Sequence, residues 1–449
     1  MREEIHLTVC VFASLLALLP TTAFAQRPPT PAFNLSYLRI NFIQPGARQA
    51  ALGGAFIGAA QDVTAAAINP AGLAYLRSVE ATLHQRLGHH EFDVATGLSR
   101  DEKISVGNHN FDQTLAGVFL PVRRLSFALF RQLAIDTYYN FETRQFLDTT
   151  FALTPEFTRG GRGNYPGRIV NFDFELVHDA FSVAFNASKV LSVGLTVKNS
   201  ALNFNMNERL FLDPQVLNGE TPRANSDATL YSINTIHTRQ NKFSYSFGLM
   251  SSLWTDRLFF GAVVNFNPTY DLESNVYFPA YRLGTTDWPA ETKENDFKFS
   301  IPDSYGFGFY FLLNSRVRFS LDLQWIEYSD LLTGHNLDVL PEFGGASRDI
   351  TVSDGTHLHT GVEWLFSVPQ FRLNVPLRFG AHFDPGHQVH VNGEDEYLAR
   401  LYPDLGARLH FTFGAGFTLK DLKFDSAIAA SKDGFEFWAS GLLSVPVDY

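Results

Sequence analysis

His357 and His359 lie two residues apart with Asp354 close by, a spacing that brings two imidazoles to one face of a strand beside a carboxylate. That is raw material for a divalent-metal site. Same-face pairs recur wherever strands alternate, so the pair is read as strand patterning, and no metal or cofactor is expected. His89-His90 is read as a solvated loop pair. The sequence has no G-x-S-x-G elbow and no H-E-x-x-H pair, so no nucleophile or zinc-peptidase centre can be identified, and the chain is read as not an enzyme. Cys10 is the single cysteine and falls in an apolar N-terminal segment, which excludes disulfide and thiol chemistry from the rest. The cations that could do work are Arg316, Arg318, Arg372, Arg378 and Arg408. Facing a lumen, they would pair with acids such as Asp322, or one of them would receive a ligand carboxylate. Phe259 and Val263 are a third group: apolar residues expected on an inward strand face, where they would line a pocket.

All of these residues must be positioned by strands. In Phe371 to Phe383, Leu373, Val375, Leu377 and Phe379 share one face, and Asn374, Arg378 and His382 the other. Val317, Phe319, Leu321, Leu323 and Trp325 alternate in the same way with Arg318, Ser320, Asp322 and Gln324. Period-two alternation puts one face in an apolar medium and one in a polar medium. The mean hydropathy is near zero, which excludes a helical membrane bundle but not a barrel, because only every second strand residue need be apolar. Short breaks near Val122-Arg123, Ser188-Lys189, Trp254–Asp256, Asn314-Ser315, Pro369-Gln370 and Lys420-Asp421 alternate with long polar stretches at 142–168, 206–228, 271–297, 329–355 and 384–407. That sorting is expected of an outer-membrane barrel with tight periplasmic turns and long outer loops. The predicted fold is all-β, a 14-stranded antiparallel transmembrane β-barrel. Its strands are expected at 79–87, 113–121, 123–141, 170–187, 189–205, 230–252, 256–269, 298–312, 315–328, 356–368, 371–383, 408–419, 421–430 and 434–449. Residues 91–99 also alternate, as part of the first long loop or an extension of the first strand.

Ahead of the strands, residues 41–76 are rich in Ala and Gly and poor in charge. Asn69 suits a helix N-cap and Pro70 the first helical position, in Asn69-Pro70-Ala71-Gly72-Leu73. Asp62 is expected to cap a short helix over 63–68, with a break at Gly53-Gly54. A compact pair of small-residue helices before a long β chain suggests a plug and its barrel. The division expected is 1–25 signal peptide, 26–78 N-terminal tail and helical hatch, and 79–449 barrel. Residues 7–19 form an apolar core, followed by Ala23-Phe24-Ala25 as a cleavage site. Val9 before Cys10 is too large for a lipoprotein box. Residues 26–40 are Pro-rich and read as a loose periplasmic tail, with Phe33 entering the barrel as the sharper alternative. The net charge of −11, with no basic stripe, argues against a nucleic-acid partner.

The Gly/Ala-rich stretch ending at Asn69-Pro70-Ala71-Gly72-Leu73 resembles the FadL/TodX outer-membrane transporters of long-chain fatty acids and other hydrophobic compounds. So does Ile301-Pro302-Asp303-Ser304-Tyr305-Gly306-Phe307-Gly308, leading through Leu321-Asp322-Leu323-Gln324-Trp325. The resemblance covers the chain from about Asn41 onward. It implies the bacterial outer membrane, a fourteen-stranded barrel plugged by an N-terminal hatch, uptake through the outer loops, and lateral release beside a kink in the third strand. Its partners would be a fatty acid or aromatic hydrocarbon and outer-membrane lipid. FadL-like barrels that carry or scaffold protein partners in type IX secretion are the alternative. On this resemblance Leu210, Phe211, Leu212, Val276, Tyr277 and Phe278 would line an outer groove. Two departures stand out. The long tail leaves a role of the N-terminus in the pocket without support, and the third strand has no Gly or Pro to mark a kink.

Overall fold

A computed structural model describes residues 29–31, 38–95, 103–147, 164–212, 229–254, 257–283, 286–332, 336–338, 350–368, 370, 373–391, 399, 402, 404 and 406–446. The expected signal segment and Phe33 lie outside these residues. Fourteen antiparallel strands close on themselves: β1 Ser78–Ala95, β2 Lys103–Val122, β3 Leu125–Thr143, β4 Gly167–Asn186, β5 Leu191–Leu212, β6 Thr229–Leu253, β7 Leu258–Phe266, β8 Ser304–Leu312, β9 Val317–Ile326, β10 Gly355–Val368, β11 Leu373–Asp384, β12 Arg408–Leu419, β13 Leu422–Ser431 and β14 Gly434–Pro446. Closure is by β14 on β1. Every strand of the ring thus has a neighbour on both sides, as a bilayer requires of any strand structure. Phe411, Phe413, Phe379, Leu323 and Trp325 point outward and are exposed, while Thr412, Arg378 and Asp322 point inward and are buried. The alternation in the sequence is therefore a lipid face against a lumenal face. No helix among the described residues is long and apolar enough to cross a membrane.

Each of the fourteen expected strands has its counterpart, although β2 starts earlier, at Lys103, and β5 runs on to Leu212, into the expected loop 206–228. The alternating segment 91–99 extends β1 as far as Ala95. The expected loop 271–297 contains a hairpin instead, Thr269–Phe278 against Glu291–Ser300, whose first arm joins the outer half of β6. Consequently the expected strand 298–312 is broken at 301–303. Pro268 and Pro302 lack the N–H that a ladder needs. The breaks are stitched to each other by Asn267 N–H to Asp303 Oδ1 at 2.6 Å and Ile301 N–H to Pro268 O at 3.1 Å.

Residues 38–76 lie inside the ring and touch its wall on all sides. They form α1 Ala47–Ala51, α2 Ala65–Ile68 and a 3-10 helix Pro70–Tyr75. The helix expected over 63–68 starts two residues later, at Ala65. Asp62 accepts the N–H of Thr64, while the Asp62 carbonyl takes the first helical N–H from Ala65 at 2.9 Å. The expected break is present, with Gly53 and Gly54 both at positive φ. Leu38 and Ile40 are buried in the barrel, and Pro29–Pro31 runs parallel to Asn336–Asp338 in the connection after β9.

Candidate functional site: the filled lumen and a break in its wall

An Ala/Gly-rich backbone can occupy a polar lumen only if its carbonyls find donors. The wall supplies them. Ser192 donates to Ala71 O at 2.9 Å, Thr196 to Ala66 O, Thr412 to Ala51 O and Thr114 to Pro45 O, each at 3.0 Å. The donors come from opposite sides of the ring, so the segment is held all round.

Asn69 does more than cap. Its Oδ1 accepts the Ala71 N–H, and its Nδ2 donates to Ile57 O at 3.0 Å and Leu249 O at 3.2 Å. It thus ties the 3-10 helix, the α1–α2 connection and β6 together. Substituting Ala at Asn69 removes a cap and leaves two buried carbonyls without donors, a cost of roughly 2–4 kcal/mol. The expected outcome is a folded barrel with higher passive permeability in liposome swelling; unchanged swelling would show that this anchor is dispensable.

The lumenal arginines pair with acids, as expected, but the acids differ. Glu363 collects Arg378 at 2.7 Å, Arg318 at 2.9 Å and the Arg48 of α1 at 3.6 Å. Arg378 also reaches Asp425, and Arg408 pairs with Asp433. Arg316 is exposed in the β8–β9 turn rather than lumenal, and Arg372 lies outside the described residues. Asp322 is no arginine partner. One of its oxygens accepts the N–H groups of Phe56 and Ile57 at 2.5 and 2.6 Å. Burial alone would raise the Asp62 carboxyl; Arg48 and Thr64 outweigh it and hold the group below the usual carboxylate range.

Phe259 and Val263 face inward and are buried, but against the inserted segment. The Phe259 ring meets Tyr75 edge-on with centroids 5.7 Å apart, and Val263 lies beside Gly306, which Ile57 covers. Leu210 and Phe211 are buried at the end of β5, and Val276 is buried on the outer hairpin. The two sets flank β6, with Leu210 opposite Ser232 and Val276 opposite Asn234, so they are neighbours across one strand rather than facing walls. Leu212 is half-buried, Tyr277 is exposed, and the Phe278 ring packs edge-on against Tyr231. His359 donates from Nδ1 to Gly53 O at 2.7 Å, and Asp354 accepts the Ser329 N–H at 2.9 Å, so neither joins His357.

The apolar part of the lumen lies elsewhere. In the outer half, Phe172 stacks on Tyr139 at 4.6 Å and meets Phe204 edge-on at 5.4 Å; Phe174 meets Phe299 at 5.5 Å. Leu38 and Ile40 of the inserted segment belong to the same cluster. Inward aromatics on alternating strands were the available signal: Phe172 and Phe174 violate lumenal polarity just as Phe259 does.

Beside this cluster the wall parts. Residues 115–122 of β2 pair with 125–132 of β3, and there the ladder ends. Farther out, β2 pairs only with β1 and β3 only with β4 among the described residues. Both strands bulge at the parting, at Thr114 and Ala134. The inserted segment wedges between them, with Ile43 N–H donating to Ala134 O at 2.9 Å and Thr114 donating to Pro45 O. Third-strand irregularity is therefore present without Gly or Pro, because a bulge needs only one extra residue and a partner for its freed carbonyl. Across the gap, Asn110 bonds Asp136, and Arg86 reaches Asp136 at 3.8 Å while holding Asp112 at 2.6 Å and Glu436 at 3.0 Å on its own side. A cavity of about 230 Å3 runs from Asn108 and Asp136 at the gap to His357 and Asp384 on the far wall.

The sequence model of the family described as outer membrane protein transport protein (OMPP1/FadL/TodX) matches residues 42–369. Among solved structures, the chain is similar to a FadL homologue of Pseudomonas aeruginosa, at 14% identity over 94% of this chain and 98% of that chain, TM-score 0.54. It is also similar to the P. putida toluene transporter TodX, at 13% identity over 90% and 99%, TM-score 0.55. The CymD monoaromatic hydrocarbon channel matches at 11% identity over 91% and 100%, TM-score 0.55. At these identities the likeness establishes the fold. No curated protein matches the chain in sequence.

Proposed function

Because the chain belongs to the OMPP1/FadL/TodX family of outer-membrane transport proteins of bacteria, which are channels and not enzymes, we propose that it admits small hydrophobic molecules, uncharged hydrocarbons before fatty acids. Residues 38–76 act as the hatch that stops free diffusion. The solute binds among the outer-half aromatics and leaves sideways between β2 and β3.

The observation that carries this reading is the juxtaposition of the Phe172, Phe174 and Phe204 cluster with the parted ladder. Burying an apolar solute there gains about 0.8 kcal/mol per methylene, which needs no energy source. The parted ladder leaves the two strand edges without each other's backbone partners, so the wall is weakest beside the aromatic cluster. The ranking of substrates rests on charge. Arg48, Arg86, Arg168, Arg318, Arg378 and Arg408 are each in an ion pair, whereas Arg39 bonds Gln388 at 3.1 Å and is in no ion pair among the described residues. At each paired arginine a fatty-acid carboxylate would have to displace a resident acid, which leaves Arg39 as its one opening at the cavity; toluene displaces none.

The test exploits the shortage of thiols. With Asn110→Cys and Asp136→Cys on the two sides of the gap, a short bifunctional thiol reagent should abolish most toluene uptake by cells or liposomes. The same double variant without reagent should retain it. Full uptake after demonstrated cross-linking would place the exit elsewhere. Stronger displacement of a bound fluorescent probe by a fatty acid than by toluene would reverse the substrate order.

A further inference from the structure

We propose that the outer end of the lumen holds a divalent transition-metal site, formed by His357 Nδ1, Asp384 Oδ1 and His387 Nδ1, with zinc the fitting ion. His357 is on β10, Asp384 ends β11, and His387 follows three residues later. Their donor atoms lie within 4.8 Å of one another, and all three side chains are buried. Asp384 Oδ1 is 3.1 Å from His387 Nδ1 and 3.7 Å from His357 Nδ1. Ligands at about 2.0–2.1 Å around a tetrahedral ion are separated by roughly 3.3 Å, so the spacing straddles what zinc needs.

Two independent features point to a ligand. Asp384 Oδ1 is buried with no hydrogen bond of its own, an acceptor aimed between two imidazoles. The far nitrogen of each imidazole is already engaged. His357 Nε2 is 3.0 Å from Tyr328 Oη, and His387 Nε2 is 2.9 Å from Asn41 Oδ1. His387 Nδ1 itself donates to the Pro385 carbonyl at 2.8 Å, so a bound ion would take the place of that proton while Nε2–H stays on Asn41 Oδ1. Outer partners that fix the tautomer in this way accompany metal-ligating histidines. The cavity beside His357 and Asp384 leaves room for a fourth ligand.

The other groups facing the site set its competition. Arg39 opposes Asp384 and disfavours added positive charge. His382 and His410 stack at 4.1 Å and leave His382 Nδ1 and His410 Nε2 without hydrogen bonds, which makes them the rival donors. A bound ion would tie β10, the segment after β11, the Tyr328 turn and, through Asn41, the start of the inserted segment.

The experiment uses the full-length, detergent-folded barrel without a polyhistidine tag, stripped with chelator and titrated with Co2+ and then Zn2+. One Co2+ per chain is expected, with the intense visible absorption of a tetrahedral ion, displaced by Zn2+. Asp384→Asn and His387→Gln should each abolish stoichiometric uptake, while His359→Gln, whose Nδ1 serves Gly53, should leave it. Arg39→Ala should tighten binding. Heat-modifiable gel mobility checks that each variant is folded. No uptake by the folded parent, or uptake lost in His382→Gln and kept in Asp384→Asn, would overturn the assignment.

Discussion

Replacing Asp322 with alanine is expected to unseat the inserted segment while leaving the barrel closed. Asp322 sits on β9 at the bottom of a recess made by Gly308 on β8, where any Cβ would collide with the carboxyl group and come within 2.6 Å of Gly58 N. In that recess one carboxyl oxygen serves two backbone N–H groups, those of Phe56 and Ile57. Truncation strands both donors in a site closed to water, at about 1–3 kcal/mol each. The β9 ladder to β8 and β10 is made by backbone atoms and survives. Single-channel conductance in planar bilayers should therefore rise from brief or absent events to a persistent open level. A variant as silent as the parent would mean the segment is held without this anchor.

Gly380→Leu should have the larger effect on stability. Gly380 on β11 lies directly against the backbone of Leu52 and Gly53, and a Cβ there would overlap atoms of both. Those atoms cannot yield separately, because Gly53 is at φ +63 and its own added Cβ would come within 2.6 Å of Ala381 N. Either the turn is expelled or the wall opens. Overpacking of this kind costs about 1–3 kcal/mol when side chains can adapt, and backbone against backbone adapts less. The expected result is a barrel that still shifts on heating but melts earlier, and whose residues 38–76 become cleavable by protease added in detergent. Protection equal to the parent would show that the fit at Gly380 is looser than its geometry.

Much of this architecture was legible before any coordinates. Alternation at Phe411, Thr412 and Phe413, or Leu321, Asp322 and Leu323, is a local property of the chain and names the lipid face directly. Prolines 268 and 302 also interrupt strands for a local reason, although the expected strands 256–269 and 298–312 each run past one of them. Asn69 was readable as a cap because its partner, the Ala71 N–H, lies two residues away.

What the sequence could not determine was which residues meet across the ring. Strand alternation makes every inward Arg a candidate for every inward acid, so Arg378 with Glu363 and Asp322 with Phe56 follow only from barrel closure and the depth of the insert. The same holds for glycines. Gly308, Gly361, Gly380 and Gly414 look like ordinary strand glycines in sequence, yet each lies under the inserted segment, the first three against its backbone and Gly414 against the Ala51 methyl. The wall gap was hidden for a related reason. A bulge at Ala134 is stabilised by Ile43 from another part of the chain, and no residue type marks it. The chain by itself fixed the strands, their faces and the insert, because those depend on neighbours in sequence. The lumen, its ion pairs, its histidine–aspartate cluster and its opening depend on atoms tens to hundreds of residues apart, and only the closed tertiary structure brought them together.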